Sequence, residues 1–346
     1  MARKGGAEGQ DPPRRVRTIA DIAQLAGVSA PTVSKVVNGR SEVAPETRAL
    51  VQRVLHEQGY RLSRKSAKTS ALIELVFHEL RGVYPIEIIN GVESVAGEHR
   101  LGVVVSESQG RQTPGRGWIE GVLSRGATGV IPVFSDLSAD QRAQLGTRGI
   151  PFVALDPIGV PDADIPSVGA TNWHGGLAAT RHLLDLGHRR IAVITGPQFA
   201  LCSRARLDGY RAALDAAGVP VDPALIREGE FAIDDGFAHA TELLRLPDPP
   251  TAIFALNDGM AIGVYNAASR AGLRIPADLS VVGFDDHPLD AWLIPSLTTV
   301  RQPLTEMGAA AARMVLDLAG GAPLAANRVE VATTLVVRDS TAPASR

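Results

Sequence analysis

From Ala71 onward the chain alternates short apolar runs with amphipathic stretches. They read LIELVF, IEIINGVESVAGE, GVVVSE, WIEGVLSRG, TGVIPVF, DQRAQLGTRG and PFVALD. After IPSVGATN the alternation resumes with GLAATRHLLDLG, RIAVITG, ARLDGYRAALDAAG, FAHATELLRL, TAIFALN, AIGVYNAASRAG and SVVGFDD. Strand and helix in strict turn predict parallel sheets with helices on both faces. The roughly 270 residues involved are too many for one small sheet, so two α/β subdomains with a crevice between them are expected. Ligands in such folds bind beyond the carboxyl ends of the strands.

The first part of the chain has a different period. Between Thr18 and Tyr60 three short helical segments follow one another. TIADIAQLAG opens with Thr18 and Asp21 at capping-box spacing and closes at Gly27. SAPTVSKVVNG has Ser29 as its N-cap, and PETRALVQRVLHEQG starts at Pro45, a favoured first helical position, with Leu50, Val54 and Leu55 on one face. A helix, a tight turn through Gly27, Val28 and Ser29, a second helix and a bracing third make a helix-turn-helix arrangement. On the second helix Val33, Val36 and Val37 share the core arc. Pro31, Ser34, Lys35 and Asn38 share the opposite one, Thr32 lies at its edge and Ala30 borders the core side. Arg61 to Ser70 carries four basic residues and three serines and reads as a linker.

The charge is split accordingly. Residues 1–70 carry a net charge of +7 and the remainder −9, so the head meets a polyanion and the body does not. Cys202 is the only cysteine, which rules out an internal disulfide or a cysteine zinc site and fits a reducing cytoplasm. The polar N-terminus, broken by Gly and Pro, has no apolar segment of the secretory kind, and no run of eighteen apolar residues occurs, so no membrane partner is expected. There is no Walker-type phosphate loop, no glycine fingerprint after the first strand, no GxSxG and no HExxH, so no enzyme, metal or cofactor is expected.

These features together resemble the lac repressor/gal repressor family of bacterial transcription factors. The resemblance runs from about Thr18 to Ser340 and rests on several stretches in family order. They are TIADIAQLAGVSAPTVSKVVNG, HLLDLGHRRIAVITG, RLDGYRAAL, TAIFALND, SVVGFDD followed by PSLTTVRQP, and TTLVVRDST. It implies an all-α helix-turn-helix head on an α/β periplasmic-binding-protein-like core of two parallel-sheet subdomains with a central crevice. It also implies a homodimer that reads a pseudopalindromic double-stranded operator under control of a small effector. The expected organisation is a disordered tail at 1–16, the head at 17–60, a basic hinge linker at 61–70 and the core at 71–341. The subdomains are expected at 71–168 plus 303–328 and at 169–302 plus 329–341.

The resemblance implies that Ala30, Pro31 and Lys35 face bases, while Ser29, Thr32, Ser34 and Asn38 hold phosphates or flank the groove; Thr18 joins the same set. Lysine donates to guanine O6 and N7 as a point charge, with less specificity than a bidentate arginine. The linker departs from the family hinge, an Asn, two residues, Ala-Arg, one residue and a Leu that wedges into the minor groove. The matching stretch here, SRKSAKTS, has no leucine. Arg64, Lys65 and Lys68 are expected instead to track phosphates or a narrow minor groove.

For the core, the resemblance implies effector contacts at Arg206 first, then Asp285 and Asn257, Asp156, Phe231, and in the first subdomain His78, Glu79 and Tyr84. A guanidinium fork grips vicinal hydroxyls or a carboxylate at two points, so a sugar or sugar derivative is the expected effector. Asn257 and Asp258 are alternatively caps of the following helix, and for Asp258 the cap is preferred. Asp286 is read as a turn residue, and Trp118 and Trp173 as either stacking or packing residues. Two rival functions remain: a solute-binding protein, against which the head argues, and a DNA-binding regulator without an effector. The chain stops soon after VVRDST without a leucine-heptad helix, so a dimer is expected rather than a tetramer.

Overall fold

The computed structural model describes residues 18–37, 42–58 and 70–344. Three helices form the head, α1 (Ile19–Ala26), α2 (Ala30–Val37) and α3 (Pro45–Glu57). The capping box at its start is made as the spacing predicts. The Thr18 hydroxyl accepts from the Asp21 backbone N–H at 3.3 Å, and the Asp21 carboxylate accepts from the Thr18 N–H at 2.7 Å. Gly27 ends α1 at φ +64°, a conformation that costs glycine little. Ile22, Ala26, Val33, Val36, Val37, Val51, Val54 and Leu55 fill the head core. Leu50, expected among them, is instead 40% exposed, and Val51 takes its place at the core.

The core elements then follow in chain order. They are β1 (Leu72–Phe77), α4 (Tyr84–Glu98), β2 (Gly102–Glu107), α5 (Arg116–Arg125), β3 (Gly129–Val133), α6 (Ala139–Thr147), β4 (Ala154–Leu155), β5 (Ser167–Ala170), α7 (Asn172–Asp185) and β6 (Ile191–Thr195). After them come α8 (Leu201–Ala216), β7 (Ile226–Glu228), α9 (Ile233–Leu243), β8 (Ala252–Ala255), α10 (Asp258–Arg270), β9 (Ser280–Asp285), β10 (Thr298–Arg301), α11 (Leu304–Gly320), β11 (Arg328–Val331) and β12 (Thr334–Val336). They build two sheets, ordered β11-β5-β4-β3-β1-β2 and β12-β10-β9-β8-β6-β7. Every pairing is parallel except that of β12 with β10. The alternation is not fully strict, because β4 is two residues long and runs to β5 without an intervening helix.

Side chains alternate across β1, and that alternation sets the layers. Ile73, Leu75 and Phe77 pack with Ile88, Val92 and Val95 of α4 and Met307, Ala311 and Val315 of α11. On the other side Ile119, Val122 and Leu145, from α5 and α6, form a second apolar cluster. In the second sheet Val193, Phe254 and Val282 lie within one core shared with α7, α8, α9 and α10.

The chain crosses between subdomains three times, after β5, after β10 and after β11. Gly169 and Ala170 stay with the first sheet, as do Val329 to Val331, so the first and third crossovers fall a few residues later than expected. Thr171 and Thr333 meet there: the Thr333 N–H donates to the Thr171 hydroxyl at 2.9 Å, and the two hydroxyls lie 3.0 Å apart. Among the described residues no helix is long and apolar enough to cross a membrane.

Candidate DNA-contact face and effector crevice

On α2 the three valines are buried, while Ala30, Pro31 and Lys35 are exposed and Thr32 and Ser34 half-buried. Ala30 therefore belongs to the exposed face with Pro31 and Lys35, not to the core border. Ser29 caps the helix, its hydroxyl accepting from the Thr32 N–H at 3.3 Å and lying 2.8 Å from the Thr32 hydroxyl. Pro31 falls in the first turn, where its missing N–H breaks no helix bond. Lys35 Nζ stands 2.8 Å from the Glu42 carboxylate, on an exposed surface that leaves the ammonium open to exchange partners. Asn38, Arg64, Lys65 and Lys68 lie outside the described residues.

In the core, parallel strands end together, so the residues that follow them meet at one edge. His78 follows β1, Phe134 follows β3, Asp156 follows β4, Asn257 lies just past β8, Asp285 ends β9 and Gln302 follows β10. Six of the seven described non-glycine residues with positive φ lie at or within three residues beyond the carboxyl end of a strand. They are Gln109 (+55°), Phe134 (+47°), Asp156 (+48°), Phe231 (+62°), Asp285 (+125°) and Asp286 (+62°). Such backbone conformations are strained for side chains with a Cβ, and they persist where the surroundings enforce them.

Arg206, on α8, occupies the middle of this edge and is 3% exposed. Its Nε donates to Asn172 Oδ1 at 2.8 Å, one Nη to the Leu256 carbonyl at 2.6 Å and the other to Gln302 Oε1 at 2.5 Å. Asp285 Oδ1 is 3.7 Å away, and the guanidinium carbon lies 3.6 Å over the centre of the Phe284 ring. The position of α8 depends on two glycines at its crossing with α7. A Cβ on Gly176 would stand 2.2 Å from the Arg206 carbonyl, and one on Gly209 would stand 2.2 Å from the Trp173 carbonyl.

Asp156 comes from the first subdomain and accepts from the Tyr84 hydroxyl at 3.1 Å. Burial raises both Asp156 and Asp285 above the usual carboxylate range, and the Arg206 charge opposes the rise at each. Burial, reinforced by Asp156, holds the Tyr84 phenol neutral, so it stays a donor. Cys202 is buried nearby with its thiol pushed up to about 12, chiefly by burial, so it stays protonated and inert.

Aromatic rings form the walls. Phe134 stands 6.1 Å from Phe199 and 6.1 Å from Phe231, and the His78 ring lies 5.7 Å from Phe134 and 6.0 Å from Phe199. His78 and Phe134 belong to the first subdomain, Phe199 and Phe231 to the second, so the rings meet across the crevice. His78 Nδ1 lies 3.0 Å from the Arg111 carbonyl, an acceptor, so Nδ1 donates to it. Glu79 pairs with Arg81 at 3.4 Å. Glu230 is raised by burial and then by its acidic neighbours, Glu79 of the opposite subdomain among them.

The structure brings His78, Glu79, Tyr84, Asp156, Arg206, Phe231 and Asp285 to this edge but redistributes other roles. Asn257 caps α10, its Oδ1 accepting from the Met260 N–H at 2.8 Å and its Nδ2 donating to the Phe231 carbonyl at 3.0 Å. Its amide positions Phe231 and keeps one N–H and one oxygen lone pair beyond these two bonds. Asp258, expected to cap, is fully buried and accepts from the Thr299 hydroxyl and from the Asp286 and His287 N–H groups. Asp286 is more than a turn residue: it pairs with Arg301 at 2.6 Å and Arg338 at 2.5 Å. Trp118, on α5, packs against the Ile119, Val122 and Leu145 cluster, and Trp173 lies 40% exposed against His174. Phe134, Phe199, Gln302 and Asn172 went unread in the sequence, although the strand-end rule, applied to β3 and β10, points to Phe134 and Gln302.

A helix-turn-helix head with an exposed second helix, carried on a two-subdomain crevice with a buried guanidinium at its floor, defines a DNA-binding regulator with a ligand-responsive core. Residues 18–63 match the family described as bacterial regulatory proteins, lacI family, and residues 180–341 match the periplasmic binding protein-like domain. The chain is 36% identical over 343 residues to the HTH-type transcriptional regulator CelR of Thermobifida fusca, covering 94% of this chain and 99% of that one. A solved CelR–cellobiose complex superposes with a TM-score of 0.71 at 35% identity, covering 94% of this chain and 99% of that one. The lac repressor dimer bound to operator and the anti-inducer ONPF superposes with a TM-score of 0.68 at 29% identity, over 95% and 100% of the two chains. The chain belongs to the lacI family of bacterial regulatory proteins, as its motifs imply.

Proposed function

We propose that the protein is a cytoplasmic transcriptional repressor that binds a pseudopalindromic operator as a homodimer, with an affinity set by a sugar in the crevice. The buried Arg206 fork between Asp285 and Asp156, walled by Phe134, Phe199 and Phe231, carries this reading. Vicinal hydroxyls match a guanidinium beside carboxylates, and the apolar face of a pyranose matches an aromatic ring. The sugar-bound and operator-bound states of the relatives support the same assignment.

In this mechanism Asp156 and Tyr84 hold the sugar from one subdomain and Arg206 and Asp285 from the other, with His78 Nε2 and Glu79 at the rim. Hydroxyls shared between the two sets fix the subdomains' relative angle. Arg206 is bonded to Asn172 and Gln302, which adjoin two of the three crossovers, so its adjustment to a ligand reaches the hinge directly. In a dimer, a change of hinge angle changes the spacing of the two heads, whose exposed α2 faces enter successive major grooves. Ala30 packs on a thymine methyl and Lys35 reads a guanine edge, while Thr18, Ser29, Thr32, Ser34 and Asn38 hold the backbone. Arg64, Lys65 and Lys68 add phosphate contacts between the half-sites.

Operator selection from a random DNA pool, with and without a panel of sugars, tests the reading. Enrichment of a pseudopalindrome whose recovery changes with one sugar is the expected result. A pool with no enriched sequence would overturn it.

A further inference from the structure

Behind the crevice floor, the loop after β9 folds a second polar group inward. Asp258, at the start of α10, lies 0% exposed, and Asp290 lies 1% exposed. With His287 they place one ligand-type atom each within 4.8 Å of one another. Asp258 is held rigidly, its Oδ1 by the Thr299 hydroxyl at 2.6 Å and its Oδ2 by the Asp286 and His287 N–H groups at 2.6 and 3.2 Å. Gly283 makes room for it, since a Cβ there would stand 2.1 Å from Asp258 Oδ1.

Asp290 has no such support. Both of its carboxylate oxygens are buried and receive no N–H or hydroxyl donor, facing the Asp258 carboxylate instead; His287 Nε2 is also without a hydrogen-bond partner, its nearest acidic oxygen, Asp285 Oδ2, being 3.6 Å away. Among the described residues other buried carboxylates have at least one cation or hydroxyl on them: Glu74 has Arg125 on one oxygen, Asp156 has Tyr84, Asp285 has Arg206 and Asp286 has two arginines. A buried acid that no donor reaches and an imidazole nitrogen without a partner, both converging on a second, rigid acid, are groups a cation would satisfy.

We propose that Asp258, His287 and Asp290 form a binding site for one divalent transition metal of the zinc type. One imidazole nitrogen and two carboxylates are a borderline donor set of the kind Zn²⁺ accepts, with a fourth position left for water or Asp285. Ligand atoms about 2.1 Å from a common ion in tetrahedral geometry stand roughly 3.4 Å apart, so atoms that lie within 4.8 Å of one another close by up to about 1.4 Å to bind. The metal draws the loop from His287 to Ile294 onto α10 and sets a positive charge beside Asp285, next to the crevice. The site stands independently of the sugar reading, since its ligands and its test involve neither sugar nor DNA.

The test uses the full chain after chelator treatment, titrated with Zn²⁺ by calorimetry and with Co²⁺ by visible absorption. The wild-type chain is expected to bind one Zn²⁺ and to show a Co²⁺ band of four-coordinate intensity. His287→Gln and Asp290→Asn, confirmed as folded by circular dichroism, are each expected to weaken Zn²⁺ binding at least tenfold and to lose most of the band. Absence of the band in the wild type, or an unchanged band in both variants, would overturn the proposal. So would a thermally stabilised Asp290→Asn beside a wild type that ignores Zn²⁺, because Asp258 and Asp290 would then be sharing a proton.

Discussion

Arg206 Nη donates to Gln302 Oε1 at 2.5 Å, joining a helix of the second subdomain to the crossover that leaves it. A lysine at 206 keeps a charge but loses the fork, so it cannot hold Gln302, Asn172 and a ligand together. Arg206→Lys is expected to lower sugar affinity at least tenfold by calorimetry while operator binding without sugar persists. Because Asp285 then loses its guanidinium, the core is also destabilised, by at most the roughly 3–5 kcal/mol of a broken buried pair. Undiminished sugar affinity would remove Arg206 from the site.

Asn257 links the α10 cap to the Phe231 loop, so its replacement acts first on stability. Asn257→Ala is expected to cost about 1 kcal/mol in denaturant unfolding, within the usual range for a lost N-cap. Asn257→Asp keeps the acceptor for Met260 and is expected to recover most of that loss. A loss of sugar affinity in the alanine variant without a loss of stability would instead make Asn257 a direct contact.

On α2, Lys35 is exposed and Pro31 lies in the first turn. Lys35→Ala is expected to relax base preference at one position per half-site, by about 1–3 kcal/mol of discrimination in a competition assay. Pro31→Ala is expected to change preference much less. Equal shifts from the two substitutions would contradict the assignment of Lys35 as the reader.

His188 is buried, with its ring bonded to Thr251, Ser280 and the Ala342 carbonyl, and burial lowers it below the ordinary 6.5. Burial lowers His182 in the same direction. Each ring is neutral when folded and takes up a proton on unfolding, so stability is full above pH 6.5 and declines as the pH falls below it. The slope reaches at most about 1.4 kcal/mol per pH unit for each histidine. Denaturant unfolding between pH 5 and 7 is expected to show a shallower decline in His188→Gln. An identical slope would assign the acid sensitivity elsewhere.

The alternation of runs from LIELVF to SVVGFDD was enough to read two parallel sheets, and the spacing of Thr18 and Asp21 was enough to read a capping box. Short strands were harder. β11 and β12 occupy four and three residues on either side of a crossover, where burial is partial and periodicity has no length to build on. Leu50 and Val51 differ by one step of helical phase, about 100°, which decides burial and which pattern alone fixes loosely. At the site, residue types at strand ends were legible but their duties were not. Asn257 rather than Asp258 took the cap, and Asp258 turned inward, because a polar residue after a strand can cap the next helix or turn inward. That choice depends on backbone angles such as +125° at Asp285, which no residue type dictates. Asp290 was silent for the same reason: only the fold of its loop carries it into the interior.

Control of the head by a sugar in the Arg206 crevice requires equal and reciprocal coupling between the two sites. Operator affinity is measured by fluorescence anisotropy with and without the sugar found in the screen, and sugar affinity by calorimetry with and without operator. Both affinities are expected to change by the same factor, of the order of 5- to 150-fold. A sugar that binds tightly and leaves operator affinity unchanged would contradict it.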